Sequence, residues 1–240
     1  MWEPATAIIM AKLPEPGRVK TRLTPALSAE QAARVHEVFL LETLRRLRGR
    51  SCYVTLCHDP ADADADAWAG EGIATLGQSD GDLGHRLTAA AEEHGGPVLF
   101  FGCDSPDLPD DHIEAALALT SPRAPSKRDA DVVIGPCDDG GFWCLGINNE
   151  DLDPDDLFQE VNWSSGEELE QVRSNAVAAG MTVAEAPAWR DVDRPADLAN
   201  LWRALSDPPV ARPVSPLRDA LAAAVGAELL DRLARDHLDE

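Results

Sequence analysis

Ala7-Ile8-Ile9-Met10 runs into Lys12–Leu23, K-L-P-E-P-G-R-V-K-T-R-L, and a helical pattern opens at Ser28. A strand, a short loop and a helix in that order set the expectation of a parallel sheet built from alternating elements. The loop is also the chemical anomaly of the chain. It holds Lys12 and Lys20, two of only three lysines, together with Arg18 and Arg22, in a protein of formal net charge −22. Cationic side chains and free backbone N–H groups ahead of a helix favour an anion, phosphate above all. A basic surface loop neutralised by nearby acids is the plainer alternative.

Working outward, Ser28-Ala29-Glu30-Gln31 predicts a capping box, with Ser28 as N-cap and Gln31 as its reciprocal partner. Ala32, Val35, Val38, Phe39, Leu41, Leu44 and Leu47 then recur at a helical period. Arg45, Arg46, Arg48 and Arg50 crowd the C-terminus of that helix, where the macrodipole and solvent suit them. Short strands are expected at Cys52–Cys57 and Gly72–Leu76, with an acidic, alanine-rich helix between them that ends near Ala69. Gln78–Leu87, Q-S-D-G-D-L-G-H-R-L, opens into a helix through His94. Pro97–Gly102, P-V-L-F-F-G, is apolar on both sides, as a central parallel strand should be. A helix follows from near Pro109 to Leu119, then a loop from Thr120 to Asp129. Strands at Asp131–Gly135, Phe142–Ile147 and Thr182–Ala186 and helices at Gly166–Gly180 and Arg194–Leu205 complete the pattern, while Leu157–Trp163 is ambiguous.

This alternation predicts a three-layer α/β/α fold with a mainly parallel sheet, mixed because its later strands break the alternation. Residues 1–205 read as one domain. Residues 206–240 read as a Pro-rich linker, Asp207–Pro216, and an amphipathic helix capped by Ser215 with Pro216 at its first position. The stripe Leu217, Leu221, Val225, Leu229, Leu230 and Leu233 either docks on its own domain or supplies a homodimer contact.

Composition narrows the function. An excess of 43 acidic over 21 basic residues argues against general nucleic-acid binding, because polyanions are repelled. No apolar run reaches the length of a membrane helix, and M-W-E-P-A-T has no signal-peptide pattern, so a soluble, cytoplasmic protein is expected. The five cysteines form no C-x-x-C pair and sit mostly in apolar runs, the pattern of buried reduced thiols. Scarce lysine and abundant aspartate fit either salt adaptation or a codon bias.

In open parallel sheets ligands bind beyond the carboxyl ends of the strands. The special stretches fall at such ends: the basic loop after the first strand, Asp104 after the apolar one, Asp138-Asp139-Gly140-Gly141 after the next, and Asp191-Val192-Asp193 after the last. Cations opposite carboxylates suit a phosphate ester with Mg²⁺ or Mn²⁺, hard ions that take oxygen ligands. Turn and cap roles for Asp104, Asp193 and the glycines are the duller readings.

K-x-P-x-P-G-x-x-K-T-R-L, Q-x-x-x-D-L-G-x-R-L, G-x-D-S-P-x-L-P, G-P-x-x-D-G-G-x-x-x-x-G-I and D-V-D-x-P-x-D-L occur in that order over about residues 5–205. This set resembles the radical-SAM/selenodomain-associated transferase family, related to GT-A glycosyltransferases and small nucleotidyltransferases. The resemblance implies a GT-A-like nucleotide-diphospho-sugar transferase fold. It sets nucleotide phosphates against Lys12, Gly17, Lys20 and Arg22, with Arg86 near the base or ribose. It matches Asp104 and Asp193 to the metal-binding aspartates of similar enzymes, and Asp139, Gly140 and Gly141 to the donor or acceptor turn. Two departures stand out. Ser105-Pro106 follows Asp104, so the usual D-x-D pair is absent, and Phe142-Trp143 stand where the family often has tyrosines.

Three functions follow. The leading one is metal-dependent glycosyl transfer from a nucleotide sugar to an unidentified acceptor. There Lys20 and Arg22 stabilise the departing diphosphate, and Asp139 orients or deprotonates the acceptor. The second is nucleotidyl transfer from a nucleoside triphosphate to a phosphorylated small molecule, against which the loop's single glycine counts mildly. The third is a catalytically silent nucleotide-binding protein.

Overall fold

The computed structural model describes residues 4–120, 130–148, 153–206 and 216–237. The loop at 121–129 and Ser215 as a helix cap lie outside the described residues, as does most of the Pro-rich linker. The strands are β1 (Thr6–Lys12), β2 (Tyr53–Asp59), β3 (Ala74–Gly77), β4 (Val98–Phe101), β5 (Val132–Pro136), β6 (Phe142–Ile147) and β7 (Val183–Glu185). The helices are α1 (Ala29–Leu47), α2 (Asp66–Ala69), α3 (Leu83–His94), α4 (Asp110–Thr120), α5 (Asp155–Phe158), α6 (Glu168–Ala178), α7 (Pro195–Ser206), α8 (Pro216–Val225) and α9 (Ala227–Asp236). No helix among the described residues is long and apolar enough to cross a membrane.

The chain folds as two compact units that it threads alternately. The first comprises Met1–Ala11, Leu44–Gly102 and Leu108–Arg190; the second comprises Lys12–Thr43, Cys103–Asp107 and Asp191–Glu240.

The first unit carries a seven-stranded sheet in the order β3-β2-β1-β4-β6-β5-β7. β1 pairs in parallel with β4, β2 with β3, and β5 with β7, while β6 runs antiparallel to both β4 and β5. The expected mainly parallel, mixed sheet is therefore present. Residue alternation assigns its faces. Ile8, Phe100, Ile134 and Leu145 pack with Leu87 of α3, Leu157 of α5 and Val172 of α6. Leu99, Val133 and Gly146 belong to the opposite face, where a Cβ on Gly146 would stand 2.9 Å from Thr120 Oγ1 of α4. Strand order reverses between β1 and β4, the switch point at which α/β sheets hold ligands. The chain leaves those two strands through the basic loop and through Cys103–Asp107.

Around the sheet, α2 and the end of α1 differ from expectation. The acidic segment before β3 is helical only over Asp66–Ala69, because the Asp64 carboxylate accepts the Asp66 N–H at 3.0 Å and competes with helix formation. Of the four arginines that crowd the end of α1, Arg45 and Arg48 are exposed as expected, but Arg46 and Arg50 pair with Asp110, and Arg50 with Glu114, in the first turns of α4.

The second unit packs α1 against the C-terminal helices. Leu23, Val35 and Phe39 share a core with Leu198 and Trp202 of α7, Leu217 and Leu221 of α8, and Leu230 and Leu233 of α9. The expected single C-terminal helix is two, broken at Gly226, whose φ of +92° ends one and starts the other. Trp202 Nε1 donates to Asp231 Oδ1 at 2.8 Å, and Arg203 donates to the carbonyl of Ala234 at 2.9 Å near the end of α9. The apolar stripe is thus covered within the chain.

Candidate functional site

The basic loop is organised by one backbone exception. Lys20 has φ 45° and ψ 38°, the left-handed region that side chains other than glycine seldom occupy, and it leads into a 3₁₀ turn at Thr21–Leu23. That conformation comes with an inward side chain, only 4% exposed. Lys20 Nζ lies 2.7 Å from Asp104 Oδ1, 2.8 Å from Asp193 Oδ1 and 2.6 Å from the Val192 carbonyl oxygen. An ammonium has three protons, and here each has an acceptor. The Phe39 ring centroid, 5.4 Å away, adds a cation–π contact.

The acceptors are themselves fixed. The Val192 N–H donates to the Asp104 carbonyl at 2.8 Å, joining the segment after β4 to the one before α7. Asp197 Oδ2 accepts the N–H groups of Asp193 and Arg194 at 3.1 and 2.7 Å, closing the start of α7. Arg22 Nη1 reaches Asp193 Oδ2 at 3.3 Å from a side chain that is 60% exposed. Ser105 Oγ donates to Asp191 Oδ1 at 2.6 Å.

Electrostatics follow this geometry. Burial acts to lower the Lys20 pKa, but Asp104 and Asp193 together hold it above the usual lysine range. Burial acts to raise the Asp104 carboxyl, and the Lys20 ammonium overcomes it, so the group stays below the usual carboxylate range. Behind them sits buried His36, whose Nε2 donates to the Lys12 carbonyl at 2.7 Å. The neutral ring then offers Nδ1, 4.0 Å from Cys103 Sγ. Burial lowers the His36 pKa and pushes the Cys103 thiol well up. Two groups of potential ligand atoms lie in this unit: Asp104 with Asp193, and His36 with Cys103 and Asp104, whose ligand atoms lie within 4.8 Å of one another. Both use Asp104, and Asp104 Oδ1 is held by Lys20.

Gly17, at φ +80°, sits in the exposed turn that the Arg18 N–H closes on the Glu15 carbonyl at 3.1 Å; Lys12 is exposed at the end of β1. Of the expected site residues, Lys20, Arg22, Asp104 and Asp193 therefore converge.

The others occupy two places in the first unit. Gln78 Nε2 donates to the carbonyls of Cys57 and Ala11 at 2.9 and 3.3 Å, tying β2 to β1. Asp82 caps α3 by accepting the His85 N–H at 3.0 Å. Arg86 folds back on this loop, donating to Gln78 Oε1 at 2.9 Å and to the Gly81 carbonyl at 3.1 Å, with Asp59 Oδ2 at 4.0 Å. The D-G-G turn joins β5 to β6. Exposed Asp139 accepts the Gly141 N–H at 3.0 Å, and Gly140, at φ +89°, leaves no room for a Cβ, which would stand 1.9 Å from the Gly166 oxygen.

Sequence reasoning missed His36, Asp197 and the Val192 carbonyl. His36 had a signal, since it falls in the Ala32, Val35, Phe39 stripe where a polar residue needs a buried partner. The Val192 carbonyl had none, because a backbone acceptor carries no residue code.

The seven-stranded, mainly parallel mixed α/β sheet matches the folds of nucleotide-diphospho-sugar transferase and cytidylyltransferase structures. A putative nucleotide-diphospho-sugar transferase from Desulfovibrio desulfuricans G20 is 28% identical, with 99% of each chain covered and a TM-score of 0.81. A cytidylyltransferase from Leptospira borgpetersenii serovar Hardjo-bovis superposes with a TM-score of 0.54 at 13% identity, covering 95% of this chain and 98% of that one. CMP:2-keto-3-deoxy-manno-octonic acid synthetase complexed with CTP gives a TM-score of 0.51 at 16% identity, with 85% and 98% covered. No curated protein matches the sequence. Residues 40–165 match the family described as "Uncharacterized protein conserved in bacteria (DUF2064)", and the chain belongs to that family.

Proposed function

We propose that this chain is a transferase that takes a glycosyl unit from a nucleoside-diphosphate donor. The observation that carries the reading is the similarity, over 99% of both chains, to a protein named for nucleotide-diphospho-sugar transfer. The basic loop at the switch point supports it.

In this reading the donor diphosphate meets Lys12, the turn at Gly17 and Arg22; the contact expected from Lys20 is corrected, because its three protons are taken by Asp104, Asp193 and the Val192 carbonyl. Negative charge grows on the diphosphate as the sugar leaves, and fixed cations are most effective where charge develops. Arg22 is well suited, since its side chain is 60% exposed and holds Asp193 through one long contact of 3.3 Å. Arg86 is assigned to the base or ribose. Asp139, Gly140 and Gly141 are assigned to the acceptor, with the exposed Asp139 carboxylate accepting the hydroxyl proton.

The family resemblance implied Mg²⁺ or Mn²⁺ on Asp104 and Asp193. The residues do not fit an ion in this arrangement, because the point on which both carboxylates converge belongs to the Lys20 ammonium. No step is therefore routed through a metal.

Thermal denaturation with a panel of nucleotides and nucleotide sugars tests the reading. A ligand present at 100 times its Kd adds about 2.7 kcal/mol to stability and raises Tm. Nucleotide sugars and nucleoside diphosphates are expected to raise it, and Arg22→Ala to reduce the rise. A rise confined to triphosphates would replace glycosyl by nucleotidyl transfer, and no rise with any of them would overturn both.

A further inference from the structure

We propose that Lys20 is the resident cation of the Asp104–Asp193 pair, so that its ammonium and a divalent ion exclude each other there. The transferase reading supplies only the purpose of this arrangement; the binding claim stands on geometry alone.

Two carboxylate oxygens from distant parts of the chain point at one position, as metal ligands do, and that position is filled. Lys20 Nζ is 2.7 and 2.8 Å from them, and its third proton is taken by the Val192 carbonyl at 2.6 Å. A divalent ion on the same oxygens sits at about 2.0–2.6 Å, which would set it against the full charge of the ammonium. Charge is also complete without an ion. Asp104 and Asp193 carry two negative charges, while Lys20 and Arg22, which reaches Asp193 at 3.3 Å, carry two positive ones. The protein thus supplies the charge of one divalent ion from its own side chains.

The local structure holds the ammonium in place. The Lys20 backbone adopts φ 45°, and its side chain is 4% exposed, whereas the Asp104 and Asp193 side chains keep 41% and 30% of theirs. The carboxylates can be reached from solvent. The lysine bars the point between them.

The test is a titration of Mn²⁺ alone into the full chain, with free Mn²⁺ followed by electron paramagnetic resonance at neutral pH. Lys20→Met is expected to bind Mn²⁺ at least about tenfold more tightly than the wild type, because it opens the point between two adjacent carboxylates and leaves only the Arg22 charge against them. Lys20→Arg, which keeps the charge, should bind no better than the wild type. Adding Asp193→Asn to Lys20→Met should cancel the gain. Circular dichroism shows whether Lys20→Met folds; if it does not, Lys20→Gln takes its place with the same expectation. A substituted chain that gains no affinity, or a wild type that takes up Mn²⁺ as tightly as the variant, overturns the proposal. The titration contains no nucleotide, so its outcome and that of the donor screen are separate.

Discussion

Replacing Lys20 with methionine removes the cation that Asp104 and Asp193 share and leaves the Val192 carbonyl without its donor. Removing one partner of a fully buried pair costs about 3–5 kcal/mol. These carboxylates stay 41% and 30% exposed, so the expected loss is smaller, about 1–3 kcal/mol, and a urea midpoint measures it. Its pH dependence has a definite sign. The Asp104 carboxyl is lowered in the folded chain, so its contribution is present above the unfolded value of about 3.9 and is lost as pH falls through the folded one. Lys20 is raised, so its contribution is present below the unfolded value of about 10.4 and is lost as pH rises through the folded one. The gap between wild type and Lys20→Met should be widest between about pH 5 and 10 and close at both extremes. A gap that stays constant with pH would show that packing, not charge, holds Lys20. The unusual charge of this residue was legible from composition. That Asp104 and Asp193 would stand opposite it was legible from their place at strand ends, but their direct hold on its ammonium was not, since Asp193 is 173 positions away and pairing at that range leaves no periodic trace.

Helix α1 shows what local sequence specifies. Ser28 Oγ accepts the Gln31 N–H at 3.2 Å, and Gln31 Oε1 accepts the Ser28 N–H at 2.9 Å, the reciprocal pair that the four residues predicted. Ser28→Ala should therefore cost about 1 kcal/mol and lower Tm by about 2–4 °C; a calorimetric scan showing no change would mean that tertiary packing alone sets this helix end. Most of the sheet was legible for the same reason. Buried strands are apolar runs bounded by turn residues, and β6 was expected at Phe142–Ile147, where it lies. The C-terminal stripe was read correctly as apolar but wrongly as one helix. Val225 and Leu229, four apart, keep helical spacing across Gly226, and that spacing is the same whether the helix continues or turns back on the same core. Nor did periodicity reveal that the end of α1 forms ion pairs with α4, because Asp110 reads equally well as an ordinary acidic first turn and Glu114 as part of a solvated helix face.

Over the whole chain the dominant quantity is charge. With 43 acidic and 21 basic residues the folded state holds a large negative excess, and self-repulsion on that scale opposes compaction. Salt acts in two directions here. It screens the repulsion, since the Debye length falls from about 10 Å at 0.1 M to about 3 Å at 1 M. It also weakens surface pairs such as Arg46–Asp110 and Arg173–Glu185, whose acids are 70% and 47% exposed, but such pairs contribute only about 0–1 kcal/mol each. Repulsion across a net charge of −22 outweighs a few weak pairs, so Tm should rise with NaCl from low ionic strength. Screening is nearly complete near 1 M, and from there the curve separates the two origins of the acidity. A plateau means that the acids are tolerated, as a codon bias would leave them. A continued rise into the multimolar range means that the folded surface itself gains from concentrated salt. A Tm that falls from the first addition would show that the ion pairs outweigh the net charge.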